Sequence, residues 1–201
     1  MKLYYTAHSR AGRPRWMLEE IGEPYELVRL DLRAGEHKLP EYLRIHPHGL
    51  VPALVDGSHV FFESSAICMY LADKFSAKKL APPPGTLDRG HYYQWMVYAM
   101  TTCEPPLMQY FLHTMRLPEP RRLLALAQEA RNQWSTVAQV LDQALGDRTY
   151  FVANHFSAAD VMMGSLIEWA QMMGLLSEHP RLDGYATRMK QRPAFQRSRA
   201  D

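Results

Sequence analysis

The sequence predicts a small α/β domain built on one mixed sheet, followed by an all-helical domain. Three observations predict this. Ahead of residue 77 short β-like and helical segments alternate, and beyond residue 86 nearly every apolar position recurs at helical spacing. Between the two lies Ala81-Pro82-Pro83-Pro84-Gly85, where three prolines forbid helix continuation and favour an extended linker. The boundaries drawn from this are 1–76, a linker over 77–86, and 87–201.

The elements follow in order. Residues 2–6, rich in Leu and Tyr, read as a strand, and Pro14 then suits the first turn of a helix whose apolar face is Met17, Leu18 and Ile21. Gly22 suits its end. A second strand is expected over 26–30, a hairpin over 53–55 and 60–62 turning at Asp56-Gly57, and a helix over 64–75. The order is β-α-β, then β-β-α. In the second part Leu123, Ala127, Ala130, Trp134, Val137, Leu141 and Leu145 mark one long amphipathic helix. The segment 157–173 is apolar nearly all round (Val161, Met162, Met163, Leu166, Ile167, Trp169), as the buried centre of a bundle should be. Its start carries a capping box, Ser157 with Asp160, and a hydrophobic staple of Phe156 on Val161. As a cap, Asp160 is expected to contribute about 0.5–2 kcal/mol.

Composition excludes several classes. The chain has 201 residues, 47% hydrophobic and 22% charged, an ordinary globular balance. The net charge of +2, without a long basic run, leaves no electrostatic footprint for nucleic acid. Arg188, Lys190, Arg192, Arg197 and Arg199 read as a solvated basic tail. The N-terminus MKLYYTAHSR lacks a secretory apolar region, and no stretch of about 18 apolar residues is long enough to span a bilayer, so a cytoplasmic, non-membrane protein is expected. Cys68 and Cys103 are too few for a disulfide framework and are expected to be buried thiols.

Four pieces of the first domain converge on a ligand site. In His46-Pro47-His48-Gly49-Leu50-Val51-Pro52, a proline just before a strand suits a cis peptide and leaves the backbone of Val51 open to pair with an extended peptide. An ordinary trans-proline at an edge strand is the alternative. At Phe62-Glu63-Ser64 a strand passes into a helix, so N–H groups and the positive end of the helix dipole suit a carboxylate, while Glu63 suits an ammonium group. Together these fit an α-amino-acid head, although Ser64 alone reads simply as a cap. His37-Lys38 offers charge and donors to another carboxylate. Ser9, next to His8 and close to a helix N-terminus, offers a hydroxyl to a thiolate, whose pKa falls from about 8.5 in such surroundings.

These residues carry a resemblance. GEHKLPEYLRIHPHGLVPALVDG, FFESSAICMYLADKF, the proline linker and FSAADVMMGSLIEW, in this order, resemble the cytosolic glutathione transferase superfamily over essentially the whole chain. The resemblance implies a thioredoxin-like N-terminal domain, an all-α C-terminal bundle, a homodimer, and glutathione as co-substrate with no metal. It implies that Val51 pairs through its backbone with the cysteinyl part of glutathione beside a cis Pro52, and that Glu63 and Ser64 hold the γ-glutamyl head. His37 and Lys38 match positions that meet the glycine carboxylate. In serine-type classes a hydroxyl after the first strand stabilises the thiolate, which points here to Ser9, with His8, Tyr5, Arg10 and Arg13 as alternatives. Attack on a small hydrophobic electrophile would follow, against Tyr98, Met100, Thr101, Thr102 and Glu104.

Two departures stand out. Leu50 replaces the polar residue common before Val-Pro, and Arg10 falls where some bacterial classes carry a nucleophilic Cys. Peroxide reduction, isomerisation or dehalogenation on the same site, and a non-catalytic interaction module, remain the competing readings.

Overall fold

The computed structural model describes residues 1–200 and divides into two compact units, Met1–Ala81 together with the segment from Arg192 onward, and Pro82–Gln191. In the first unit the order is β1 (Lys2–Tyr5), α1 (Gly12–Ile21), β2 (Glu26–Arg29), α2 (Pro40–Leu43), β3 (Ala53–Asp56), β4 (His59–Phe62), α3 (Ser64–Lys74) and, from the far end of the chain, α9 (Pro193–Arg199). The sheet runs β2-β1-β3-β4, with β1 parallel to β2 and antiparallel to β3, and β3 antiparallel to β4. A mixed sheet was expected and is found.

Strand alternation sorts the side chains into layers. Leu3 and Tyr5 of β1 are buried, and Arg15 of α1 lies over the Tyr5 ring. Tyr4 turns to the opposite face and meets Tyr42 of α2 at 5.4 Å between ring centroids. Helices α1 and α3 pack together, burying Trp16, Met17, Leu18, Ile21, Ile67, Cys68 and Leu71. On the other face Leu30, Tyr42 and Ala53 form a smaller cluster with Ile45 and Val51. The hairpin turns one residue later than expected: Asp56 pairs with His59, so the loop is Gly57-Ser58. Only Gly57 takes positive φ, as a two-residue loop with glycine first requires.

The second unit is helical: α4 (Leu87–Tyr98), α5 (Glu104–Phe111), α6 (Leu124–Leu145), α7 (Ala158–Met172) and α8 (Pro180–Lys190). Helices α4 and α5 form one continuous rod joined by a π turn at Ala99–Cys103, and a second π turn follows at Leu112–Arg116. The prolines 105 and 106 explain the first. They bring no N–H and crowd the carbonyls one turn earlier, and widening that turn relieves the clash. Of the predicted stripe on α6 all members are buried except Leu123, which precedes the helix and is 56% exposed. Helix α7 buries Val161, Met162, Met163, Leu166 and Ile167 completely; Trp169 is only half-buried, its ring against Phe111.

The capping box at Ser157 and Asp160 is present, and Asp160 does more than a cap. One carboxylate oxygen accepts from the Ser157 N–H (3.0 Å) and hydroxyl (3.2 Å), the other from the Phe151 N–H (3.1 Å) and the Tyr185 hydroxyl (2.9 Å). One fully buried side chain thus ties the loop before α7, the start of α7 and the middle of α8. Burial pushes its pKa up to about 6, against these donors, which hold it down.

The segment from Arg192 onward, which the sequence placed with the helical unit as a solvated basic tail, packs on α1. Arg192 bonds Glu20 and Arg197 bonds Glu19. Among the described residues no helix is long and apolar enough to cross a membrane.

Candidate functional site

Sheet register gathers the candidate residues at one end of the first unit. Ala53 pairs with both Tyr4 and Phe62. Continuing past those pairs brings the chain after β1, the Val51-Pro52 dipeptide before β3, and Glu63-Ser64 after β4 to the same edge. Residues more than fifty positions apart thereby share one surface.

The Val51-Pro52 peptide bond is cis, as the sequence suggested. Among the described residues neither the N–H nor the C=O of Val51 makes a backbone hydrogen bond. The loop leading to this dipeptide is fastened by two side chains. The Tyr42 hydroxyl donates to the Leu50 carbonyl at 2.5 Å, and Lys38 Nζ donates to the His48 carbonyl at 2.9 Å. Gly49 is dictated twice over. It takes φ 57°, and a Cβ there would lie 2.3 Å from the carbonyl oxygen of His37. His37-Lys38, which forms a single 3₁₀ turn with Glu36, is therefore pressed directly on the loop leading to Val51. His37 Nδ1 is buried without a hydrogen-bond partner among the described residues. His46 is buried under the same loop, its ring on Phe62 at 4.9 Å, its Nδ1 accepting from the His48 N–H at 3.3 Å. Burial and the neighbouring His48 lower its pKa.

At the start of α3 the cap position belongs to Glu63, whose side chain makes no capping bond, and Ser64 is the first helical residue. Ser64 is therefore not the cap of its own helix. Glu63 has φ 70°, a conformation that costs a non-glycine residue roughly 1–3 kcal/mol and persists only where its surroundings impose it. The Ser64 hydroxyl is buried and accepts from the Arg13 guanidinium at 3.3 Å. Beside it, the first-turn N–H groups of α3 have no intrahelical acceptor. The Glu63 side chain is exposed. Positive guanidinium, hydroxyl and helix dipole on one side, with a carboxylate on the other, suit a zwitterionic amino-acid head.

Ser9 stands in the turn between β1 and α1. Its hydroxyl donates to the Thr6 carbonyl at 2.7 Å and accepts from the Ala11 N–H at 3.2 Å, so in this state it closes the turn. His8, with φ 55°, and Arg10 are exposed. Arg13 directs its guanidinium to Ser64, and Tyr5 is buried beneath Arg15. In the helical unit Thr101 is exposed, Tyr98, Met100 and Thr102 are half-buried, and Glu104 is buried.

Comparison with known proteins decides the family. Residues 1–73 match the family described as glutathione S-transferase, N-terminal domain, and residues 103–193 match glutathione S-transferase, C-terminal domain. The chain belongs to the glutathione S-transferase family. With that membership comes the enzyme class, a transferase. Glutathione S-transferase F9 of Arabidopsis thaliana is 33% identical over 80% of this chain and 76% of that protein. Disulfide-bond oxidoreductase YfcG of Escherichia coli is 26% identical over 96% of this chain and 91% of that protein. A sphingomonad glutathione S-transferase solved in complex with glutathione superposes with a TM-score of 0.86 at 27% identity, covering 99% of this chain and 97% of that one.

Sequence reasoning weighed Arg13 for a thiolate and missed its bond to Ser64. A signal existed: Arg13 shares with Met17 and Ile21 the face that α1 buries, and a charge on such a stripe needs a partner. For Tyr42 no signal existed, because its hydroxyl reaches a carbonyl whose position only the fold defines.

Proposed function

We propose that this edge of the sheet binds glutathione and that the enzyme conjugates its thiolate to a small hydrophobic electrophile. The observation that carries the reading is the open Val51 backbone beside a cis proline, directly across from the start of α3. In this reading the Val51 N–H and C=O pair with the cysteinyl unit as an added strand. Ser64 and the α3 N-terminus take the γ-glutamyl carboxylate and Glu63 its ammonium group, while His37 and Lys38 meet the glycine carboxylate. Ser9 turns its hydroxyl from the Thr6 carbonyl to the sulfur. Its Oγ accepts from the Ala11 N–H at the head of α1, which polarises the O–H and strengthens it as a donor. The thiol proton passes to solvent as the thiolate forms. The thiolate then forms a C–S bond with the electrophile while a leaving group departs with its bonding pair or, in an addition, the π pair shifts to the adjacent carbon, which takes a proton from solvent. The protein supplies electrostatic stabilisation and proximity.

The reading extends to a cytoplasmic homodimer with no metal requirement. Support for a partner copy is Val60 and Phe62, alternate residues of the edge strand β4 that each leave 40% of their surface exposed. Calorimetric titration with glutathione, followed by an assay with an activated aryl halide, tests the function. Saturable binding and glutathione-dependent release of halide are expected. Binding without turnover of any electrophile would favour an interaction module, and absence of binding would remove the proposal.

A further inference from the structure

We infer that the C-terminal segment from Arg192 is a brace that sets α1 and, through Arg13, the Ser64 hydroxyl, making Arg192 and Arg197 positioning residues of the proposed glutathione site; the inference rests on that reading of the site. Both ends of α1 are gripped. At its C-terminal end Arg192 meets Glu20 in a forked pair, Nε to Oε1 at 2.7 Å and a terminal nitrogen to Oε2 at 2.8 Å. Glu20 Oε1 also accepts from the Trp16 indole at 2.9 Å, and the Trp16 ring takes Phe195 edge-on at 4.9 Å. Arg197 bonds the Glu19 carboxylate at 2.8 Å and its carbonyl at 3.0 Å. At the first turn Arg15 donates to the Ala200 carbonyl at 2.6 Å, and the Arg199 guanidinium covers Gly12, where a Cβ would meet it at 3.2 Å.

The weak point of the helix is its N-terminus, since its apolar face already packs on α3. Its cap position, Ala11, offers no side-chain bond, and no acidic residue stands in its first turn. Arg13 sits in that first turn, between Gly12 and Arg15, which the tail touches. Its bond to Ser64 is 3.3 Å, at the long end of the useful range, so a small displacement of α1 removes it. The forked Arg192–Glu20 pair is largely buried, with side-chain exposures of 25% and 10%, and such bidentate pairs fix geometry as well as adding energy. A tail whose Arg192 lies 172 residues from Glu20 in sequence thereby governs where the Ser64 hydroxyl stands.

The test uses the full chain and its Arg192→Ala/Arg197→Ala variant, with Arg192→Lys as the conservative replacement and Arg197→Ala alone if the double variant fails to fold. Glutathione affinity is read by calorimetry and folding by circular dichroism. The wild-type titration comes first, and a wild type that binds no glutathione would refute the proposed function rather than the brace. Given wild-type binding, the folded variant is expected to bind about 5-fold more weakly or worse, within the ordinary range of coupling between sites, with Arg192→Lys intermediate. In an Arg13→Ala background the same tail substitutions should change affinity little, since the route is already cut. Unchanged affinity with only a lower melting temperature would overturn the inference, as would a full additive loss in the Arg13→Ala background.

Discussion

Replacing Asp160 with alanine tests how far one carboxylate organises the helical unit. The substitution strands four donors in a dry interior: the N–H groups of Phe151 and Ser157, and the hydroxyls of Ser157 and Tyr185. The hydroxyls are free to rotate, whereas the two N–H groups cannot. Each unsatisfied buried donor costs about 1–3 kcal/mol, so a loss of roughly 3 kcal/mol or more is expected at pH 7, above the value anticipated for a simple cap. For a chain of this size that lowers Tm by about 6–12 °C. The pH dependence gives a sharper test. The folded carboxyl titrates at about 6, above the ordinary 3.8. Asp160 therefore stabilises most below pH 3.8, and this increment disappears as pH rises through 6. The gap between wild type and variant should widen by about 1 kcal/mol on going from pH 7 to pH 5. Urea unfolding of both proteins at the two pH values measures it, and groups common to both cancel. A gap that is constant or narrows toward pH 5, or a loss below 1 kcal/mol, would refute the reasoning.

Three further substitutions probe the candidate site. Ser64→Ala removes the hydroxyl that Arg13 engages and should weaken glutathione binding at least 10-fold, about 1.4 kcal/mol; unchanged affinity by calorimetry would remove that assignment. Ser9→Ala should raise the pKa of bound glutathione, seen in a thiolate absorbance titration, and also cost about 1–3 kcal/mol of stability because the turn loses two hydrogen bonds. An unaltered titration would leave Ser9 a purely structural turn residue. Gly49→Ala places a Cβ against the His37 carbonyl and forces positive φ on a side chain, so the loop before Val51 must shift; a melting temperature and a glutathione affinity both equal to wild type would contradict this.

Much of the fold was legible because its signals are local. Alternation in 2–6 and 53–62, glycine at 22 and 57, and the apolar stripe of α6 each depend on residues within a turn or two. The cis Pro52 was legible for the same reason. What escaped depends on distance. Nothing near Arg192 announces that it will pair with Glu20, and the basic tail looked solvated because its acidic partners lie in another part of the chain. The π turn at Ala99–Cys103 escaped because a widened turn leaves the apolar spacing helical, and only the packed rod shows how it accommodates Pro105 and Pro106. Asp160 was recognised as a cap, but Phe151 and Tyr185 reach it only after the helices pack. At the candidate site the residue types were legible, whereas the partner of each was not. Ser9 closes its own turn, and Arg13 turns to Ser64.

The central claim is tested most directly by a crystal structure of the full chain with glutathione. The account predicts the cysteinyl backbone paired with Val51, the γ-glutamyl carboxylate within hydrogen-bond reach of Ser64, and the sulfur beside Ser9. Tripeptide density lying elsewhere, or a vacant groove at saturating glutathione, would contradict it.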